Sequence, residues 1–261
     1  MKQEFLFSTV GKKNRTKARK RSAVRNMVEE RRNLLSSRSN FFVREAYKTL
    51  RTNVTFSVTG EDGAKAVIVT SAIQGEGKSI TSCNLAISFA MSEKRVLLID
   101  CDMRRPKLAQ LFSLNAPFGL SNVLVDPAFE REAILPTRVK GLDVLLAGDI
   151  PPNPSELLGS NRMRALLERA RKKYDYIILD TPPVNLVTDA VVLAPMTDGV
   201  LFVVRSYFSE RGPVLRALEQ MDLVQAKLLG FVFNDAERSK KKYGSKYGLV
   251  KRHGKYGYYD R

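Results

Sequence analysis

The chain has 261 residues, 44% of them hydrophobic, and a formal charge of +17; that length suits one α/β domain with appendages, or two small domains. A single histidine, His253, excludes catalytic triads and zinc sites built on histidine, and two cysteines, Cys83 and Cys101, exclude a disulfide framework and fit a reducing cytosol. No apolar run approaches the ~18 residues that span a bilayer, and the opening FLFSTV precedes its positive charges, the reverse of a signal peptide.

The charge is unevenly placed. Residues 1–40 hold 12 Lys/Arg against 3 Glu, and residues 237–261 hold 9 against 2 acids, which leaves 23 basic and 22 acidic residues in 41–236. A nearly neutral body therefore carries two basic tails. Such tails read as adhesion to an acidic partner (nucleic acid, anionic lipid or acidic protein) or as solvation alone. The division that follows is a basic, disordered leader over 1–40, a folded domain over 41–236, and a disordered tail over 237–261.

From residue 41 the pattern becomes periodic. FFVREAYKTLRTNVTFS (41–57) has apolar residues at helical spacing. KAVIVTS (65–71) is a β-branched run and predicts a buried strand. The loop that follows, SAIQGEGKSI (71–80), opens a helix over 80–92, and this strand–loop–helix order has the chemistry of a phosphate cradle. Glycines let backbone N–H groups turn inward around oxygen atoms, and a helix N-terminus favours negative charge. Gln74, Gly75, Glu76, Gly77, Lys78, Ser79 and Ile80 are the expected nucleotide-binding run, with Lys78 reaching the β/γ-phosphates and the Ser79 hydroxyl on Mg²⁺. The pattern G-x-x-x-x-G-K-[ST] asks for glycine at 72, and this chain has Ala72.

RVLLID (95–100) predicts a second buried strand, ending in DCDMRRP with Asp100 and Asp102 two residues apart. Carboxylates at i and i+2 leaving a strand point the same way, and beside apolar surface they call for a cation. LDVLLAG (142–148) predicts a third strand. DIPPNPSELLGS (149–160) leads into an amphipathic helix over 155–174, with Ser155 as N-cap after Pro154. YDYIILD (174–180) places a third carboxylate, Asp180, at another strand end. Mg²⁺ holds substrate phosphates through one or two carboxylates and a Ser/Thr hydroxyl, and Asp100, Asp102 and Asp180 all stand at strand ends that converge on the Ser79 loop. Helices near 186–194 and 211–223 alternate with strands over 198–205 and 227–234. Asn234 at the last strand end suits either a nucleotide base or a structural cap. Strands apolar throughout, alternating with helices, mean a mostly parallel sheet covered by helices on both faces, with ligands at its carboxyl ends.

The tail closes the chain with Tyr243, Tyr247, Tyr256, Tyr258 and Tyr259 among Gly, Lys and Arg, five of the nine tyrosines. Without a helical or strand period the rings share no face, so they are either a sticky patch or a set of hydroxyls offered to an enzyme.

The three motifs at 72–79, 96–106 and 176–180, together with this tail, resemble the bacterial tyrosine kinases of capsule and exopolysaccharide systems, over about 41–261. The resemblance implies a P-loop NTPase fold and a protein-tyrosine autokinase using ATP and Mg²⁺, with Lys78, Asp100, Asp102 and Asp180 as catalytic residues, Ser79, Asp102 and Asp180 as the metal set, and Asp100 near the attacking hydroxyl. It implies that the tail tyrosines are phosphorylated between subunits. EAYKTLR (45–51) is similar to the family's ring-packing helix, giving Glu45, Lys48 and Arg51 as oligomer contacts, with Lys48 in place of an arginine. The lack of fused membrane segments resembles members served by a separate transmembrane activator, which implies a cytoplasmic protein at the inner face of the membrane, regulating polysaccharide synthesis, with a cognate phosphotyrosine phosphatase. The basic leader adds an anionic membrane surface as partner; nucleic acid is not expected. The rival is an ATPase switch of the positioning and partitioning type, whose extra loop lysine would fall at Ile73.

Overall fold

The computed structural model describes residues 30–58 and 63–236. Seven strands, β1 (Lys65–Ser71), β2 (Val96–Asp100), β3 (Ile134–Pro136), β4 (Leu142–Leu145), β5 (Tyr176–Asp180), β6 (Gly199–Arg205) and β7 (Leu228–Asn234), lie in the order β3-β4-β2-β5-β1-β6-β7. All neighbours are parallel except β3 and β4. The sheet is thus mostly parallel, as the unbroken apolar strands predicted, with one short antiparallel edge strand that the sequence reading did not anticipate. Three residues ending in Pro136 are too few to show a period, and proline confines such a strand to an edge.

Side chains alternate across the sheet and build two cores. Ile68, Leu97, Ile99, Ile177, Leu179 and Phe202 point to one face and meet helices α4 (Leu120–Val125), α6 (Pro154–Leu158), α7 (Asn161–Arg171), α8 (Asp189–Leu193) and α9 (Arg211–Asp222). Val67, Val69, Leu98, Val144, Ile178 and Val203 point to the other and meet α1 (Phe41–Ser57), α2 (Lys78–Ala90) and α3 (Leu108–Phe112). A further short helix, α5 (Glu130–Ala133), precedes β3. α2 is buried along almost its whole length because α1 packs over it; Arg51 of α1 clips the pair together, donating to the Ser88 carbonyl at 2.6 Å. At the base of the sheet Tyr176 stacks on Phe89 of α2 with centroids 3.7 Å apart.

Several expected boundaries move. The single helix over 155–174 is two: Pro154 occupies the first turn of α6, so Ser155 lies inside that helix rather than capping it, and the chain breaks at Gly159. Ser160 then caps α7 by accepting from the Met163 N–H at 3.3 Å. Proline is pre-organised for a first turn and serine for a cap, so each signal was present but shifted by one element. The strand expected over 142–148 ends at Leu145, and the helix near 186–194 is confined to 189–193. Residues 30–40, read as leader, pack on the body: the Leu35 N–H donates to Asn84 Oδ1 at 2.7 Å, and Glu30 pairs with Lys107 at 3.2 Å. The leader upstream of 30 and the tail from 237 lie outside the described residues. Among the described residues both cysteines are free and buried, and no helix is long and apolar enough to cross a membrane.

Leu98 of β2 is fully buried between β4, β5 and α2. Truncation there leaves a cavity that the flanking strands cannot close. Leu98→Ala should therefore lose about 2–5 kcal/mol in urea unfolding; a loss under about 1 kcal/mol would show that the central sheet repacks.

Candidate active site

Three central neighbours, β2, β5 and β1, deliver the site. β1 ends at Ser71 and runs into a loop that becomes α2 at Lys78. Gly75 and Gly77 have φ of +92° and +94°, a left-handed backbone that only glycine adopts without strain. A Cβ on Gly77 would also run into the Asn234 amide. Ala72 is buried and has no positive φ, so the glycine that the usual pattern places there is not required by the backbone here. Lys78 and Ser79 start the helix and are nearly buried; Gln74 is exposed and accepts from Arg105 at 2.8 Å, and Ile80 packs on the α1/α2 core.

The acids follow from register. β2 and β5 pair in parallel so that Asp100 lies directly opposite Asp180, both fully buried. Burial raises the Asp100 carboxyl well above the usual carboxylate range and its neighbour Asp180 adds to the rise, against the opposing pull of the Leu108 and Lys107 N–H groups. Burial likewise raises Asp180, opposed by Lys78 and by the Ser79 and Ser82 hydroxyls. Asp100 accepts three backbone N–H groups, from Asp102 at 3.2 Å, Lys107 at 3.1 Å and Leu108 at 3.0 Å. Asp180 accepts from Ser82 at 3.0 Å through one oxygen, while its Oδ2 is buried without a partner. Asp102 faces Lys78 Nζ at 3.4 Å.

The structure thus brings together Lys78, Ser79, Asp100, Asp102, Asp180 and the glycine loop. Glu45, Lys48 and Arg51 lie elsewhere, on α1: Glu45 and Lys48 form an exposed pair at 2.7 Å, and Arg51 is spent on Ser88. The five tail tyrosines lie outside the described residues. Further side chains brace the site through contacts between distant parts of the chain. Glu76 is buried in the loop, accepting from the Ile73 N–H at 2.8 Å and from the Ser209 hydroxyl. Asn234 donates to the Glu76 carbonyl at 3.0 Å and Arg205 to that of Gly75 at 3.3 Å, so the loop is braced from the ends of β6 and β7. Arg104 reaches the buried Asp189 at 2.6 Å and the Ser155 hydroxyl at 3.3 Å, and Ser155 donates to Asp189 at 2.5 Å. That cluster ties the segment bearing Asp102 to the one that follows Asp180, which accounts for the PNPSELL stretch. A buried Asp–Arg–Ser contact spanning 85 residues of sequence leaves no local pattern to read.

These residues fit a nucleotide with Mg²⁺. An orphaned carboxylate oxygen beside a second buried carboxylate favours a cation, because the protein compensates the pair only in part. Among the described residues no cluster of three or more His, Cys, Asp or Glu could hold a metal alone. Mg²⁺ takes one or two protein ligands and completes its shell with phosphate and water.

A family model for the AAA domain matches residues 64–229. The chain is 40% identical over 215 residues to the tyrosine-protein kinase YwqD of Bacillus subtilis (strain 168), covering 82% of this chain and 85% of that one. Among solved structures, the kinase domain of the Escherichia coli tyrosine kinase ETK superposes with a TM-score of 0.71 at 32% identity, over 83% of this chain and 80% of that chain. The cell division ATPase MinD of Pyrococcus furiosus superposes at 0.57 with 23% identity, over 68% of this chain and 74% of that chain, a likeness of fold alone.

A buried carboxylate kept for a ligand is destabilising until the ligand arrives. Asp180→Asn should therefore raise the melting temperature of the nucleotide-free protein, each kcal/mol recovered adding about 2–4 °C. A lower melting temperature would mean that the Asp180 charge is already compensated.

Proposed function

The chain belongs to the bacterial tyrosine-protein kinases, and we propose that it transfers the γ-phosphoryl group of ATP to the tyrosines of its own tail, Tyr243, Tyr247, Tyr256, Tyr258 and Tyr259. One observation carries the assignment of roles: two buried, in-register carboxylates face a glycine loop whose lysine and serine are buried with them. In this reading the loop N–H groups from Gln74 to Ile80 wrap the phosphates, and Lys78 leaves Asp102 to meet the β/γ-oxygens. Ser79, Asp102 and Asp180 hold Mg²⁺, which when bound neutralises charge on the phosphate oxygens.

Asp100 is the proton acceptor. A tyrosine hydroxyl with a pKa near ~10 is protonated at neutral pH, and an ordinary carboxylate is a weak base for it. Asp100 lies at a strand end in register with Asp180, placed to take the proton as it is released late in a loose transition state. Three backbone donors occupy three of its roughly four lone-pair positions, which leaves one for the hydroxyl and holds the carboxylate still.

Transfer between subunits is the second part of the proposal. The 25 residues of 237–261 reach up to about 80 Å when extended, so a neighbour's site is within range. The exposed Glu45–Lys48 pair on α1 offers the contact for a ring, with Arg51 acting from behind it through Ser88. A separate transmembrane activator and a phosphotyrosine phosphatase complete the assignment, in the regulation of capsular or exopolysaccharide synthesis. The ATPase-switch alternative leaves the tyrosine tail without a use and matches solved structures only at fold level.

Intact-mass spectrometry after incubation with MgATP tests the reading. The wild type should gain several ~80 Da increments within residues 243–259, and Lys78→Met none; release of phosphate with an untouched tail would transfer the assignment to the ATPase switch. The leader supplies a separate expectation. Residues 1–29 hold nine Lys/Arg against two Glu, and near an anionic bilayer each basic residue contributes about 1 kcal/mol. The full chain should bind phosphatidylserine vesicles at least about tenfold more tightly than a chain beginning at residue 30, less so at high salt. Equal binding would remove the membrane from the list of partners.

A further inference from the structure

Nine tyrosines divide into five in the tail and four in the body, and the four differ sharply in what their hydroxyls can reach. Tyr47 of α1 is engaged by Asn84 and Thr81 of α2, and burial pushes its hydroxyl up. Tyr174 donates to Asp143 at 2.9 Å. Tyr176 is 8% exposed, stacked on Phe89, with its hydroxyl 3.3 Å from that of Thr55. Tyr207 is 89% exposed, standing out from the turn that joins β6 to α9.

That turn lies against the phosphate loop. Phe208 sits 3.5 Å from the point that a Gly75 Cβ would occupy, Arg205 donates to the Gly75 carbonyl, and Ser209 donates to Glu76. The Tyr207 backbone has φ of +56°, a left-handed conformation that is costly for a bulky residue and persists only where the surroundings hold it. An aromatic side chain held in that conformation and turned outward is unusual, because tyrosine normally buries its ring. Arg205, which also pairs with Asp235 at 2.7 Å where the chain leaves β7, places a cation in the same turn.

We propose that Tyr207 is a sixth phosphoacceptor of this kinase, a modification site in the body beside the nucleotide loop and distinct from the tail cluster. The inference rests on the tyrosine-kinase reading above. In the step, the Tyr207 hydroxyl oxygen bonds to the γ-phosphorus of ATP, the bond from that phosphorus to the bridging oxygen breaks, ADP leaves, and the phenolic proton passes to a carboxylate of the transferring site. The product adds about −1.5 to −2 charges in the turn that carries Arg205, the residue bracing both the phosphate loop and the exit of the tail.

Three proteins decide it: the wild type, a variant with Tyr243, Tyr247, Tyr256, Tyr258 and Tyr259 all changed to Phe, and that variant with Tyr207→Phe added. Each is incubated with MgATP, weighed intact, and its tryptic peptides are mapped. The five-Phe variant should gain one ~80 Da increment on the peptide over 206–211, located on Tyr207 and not on Ser206 or Ser209, and the six-Phe variant none. Tail labelling of the wild type with an unlabelled five-Phe variant would overturn this proposal alone, as would an increment on Tyr47, Tyr174 or Tyr176. An unlabelled wild type would overturn it together with the kinase reading.

Discussion

Asp100 and Asp180 lie side by side at the ends of two paired strands, inside an otherwise apolar sheet, and the architecture of the site answers to that pair. Two buried carboxylates in register repel each other and resist ionisation. The protein accommodates them in different ways. Asp100 is held by three backbone N–H groups from the turn that follows it, whereas Asp180 leans on side chains, Ser82 and Ser79 with Lys78 nearby, and keeps one oxygen with no partner. Lys78 approaches from the glycine loop and settles on Asp102. The arrangement is satisfied only in part by the protein itself, as buried perturbed groups at functional sites are.

The surrounding structure keeps these groups in place from three sides. Strand order sets β1, β5 and β2 next to one another, so a phosphate loop and two acidic strand ends meet without long connections. Arg104, Ser155 and Asp189 tie the segment after β2 to the segment after β5. Arg205, Ser209 and Asn234 hold the phosphate loop from the other side. The last of these sits at the end of β7, so that strand end is bonded directly to the glycine loop.

Much of this was legible in the sequence, for reasons that particular residues make plain. The glycines at 75 and 77 announce a left-handed loop, and the lysine and serine after them begin a helix; these are local rules acting over a few residues. Strands such as VLLID and YIILD are apolar on both faces because helices cover both faces, and each ends on its aspartate. What remained hidden depends on distant partners. Nothing near Ser155 marks it as a companion of Asp189, and the same Pro–Ser signal suggested a cap in the wrong place. Asn234 could serve a base or the backbone until its contact with Glu76 was seen. Residues 30–36 carry the same basic composition as the leader, yet Leu35 is buried and the segment docks through Asn84, a contact that composition cannot reveal.

The central claim is that the carboxylate pair and the glycine loop form one incomplete site, completed by a metal and a nucleotide together. Thermal unfolding of the full chain with Mg²⁺ alone, ADP alone, and both together tests it most directly. A ligand that binds only the folded state stabilises it by about 2.7 kcal/mol at a hundred times its dissociation constant. The account predicts a large upward shift with MgADP, a smaller one with ADP, and almost none with Mg²⁺, since Mg²⁺ is usually held through one or two carboxylates plus substrate phosphates. A shift with Mg²⁺ alone equal to that with MgADP would show a preformed metal site and contradict the account.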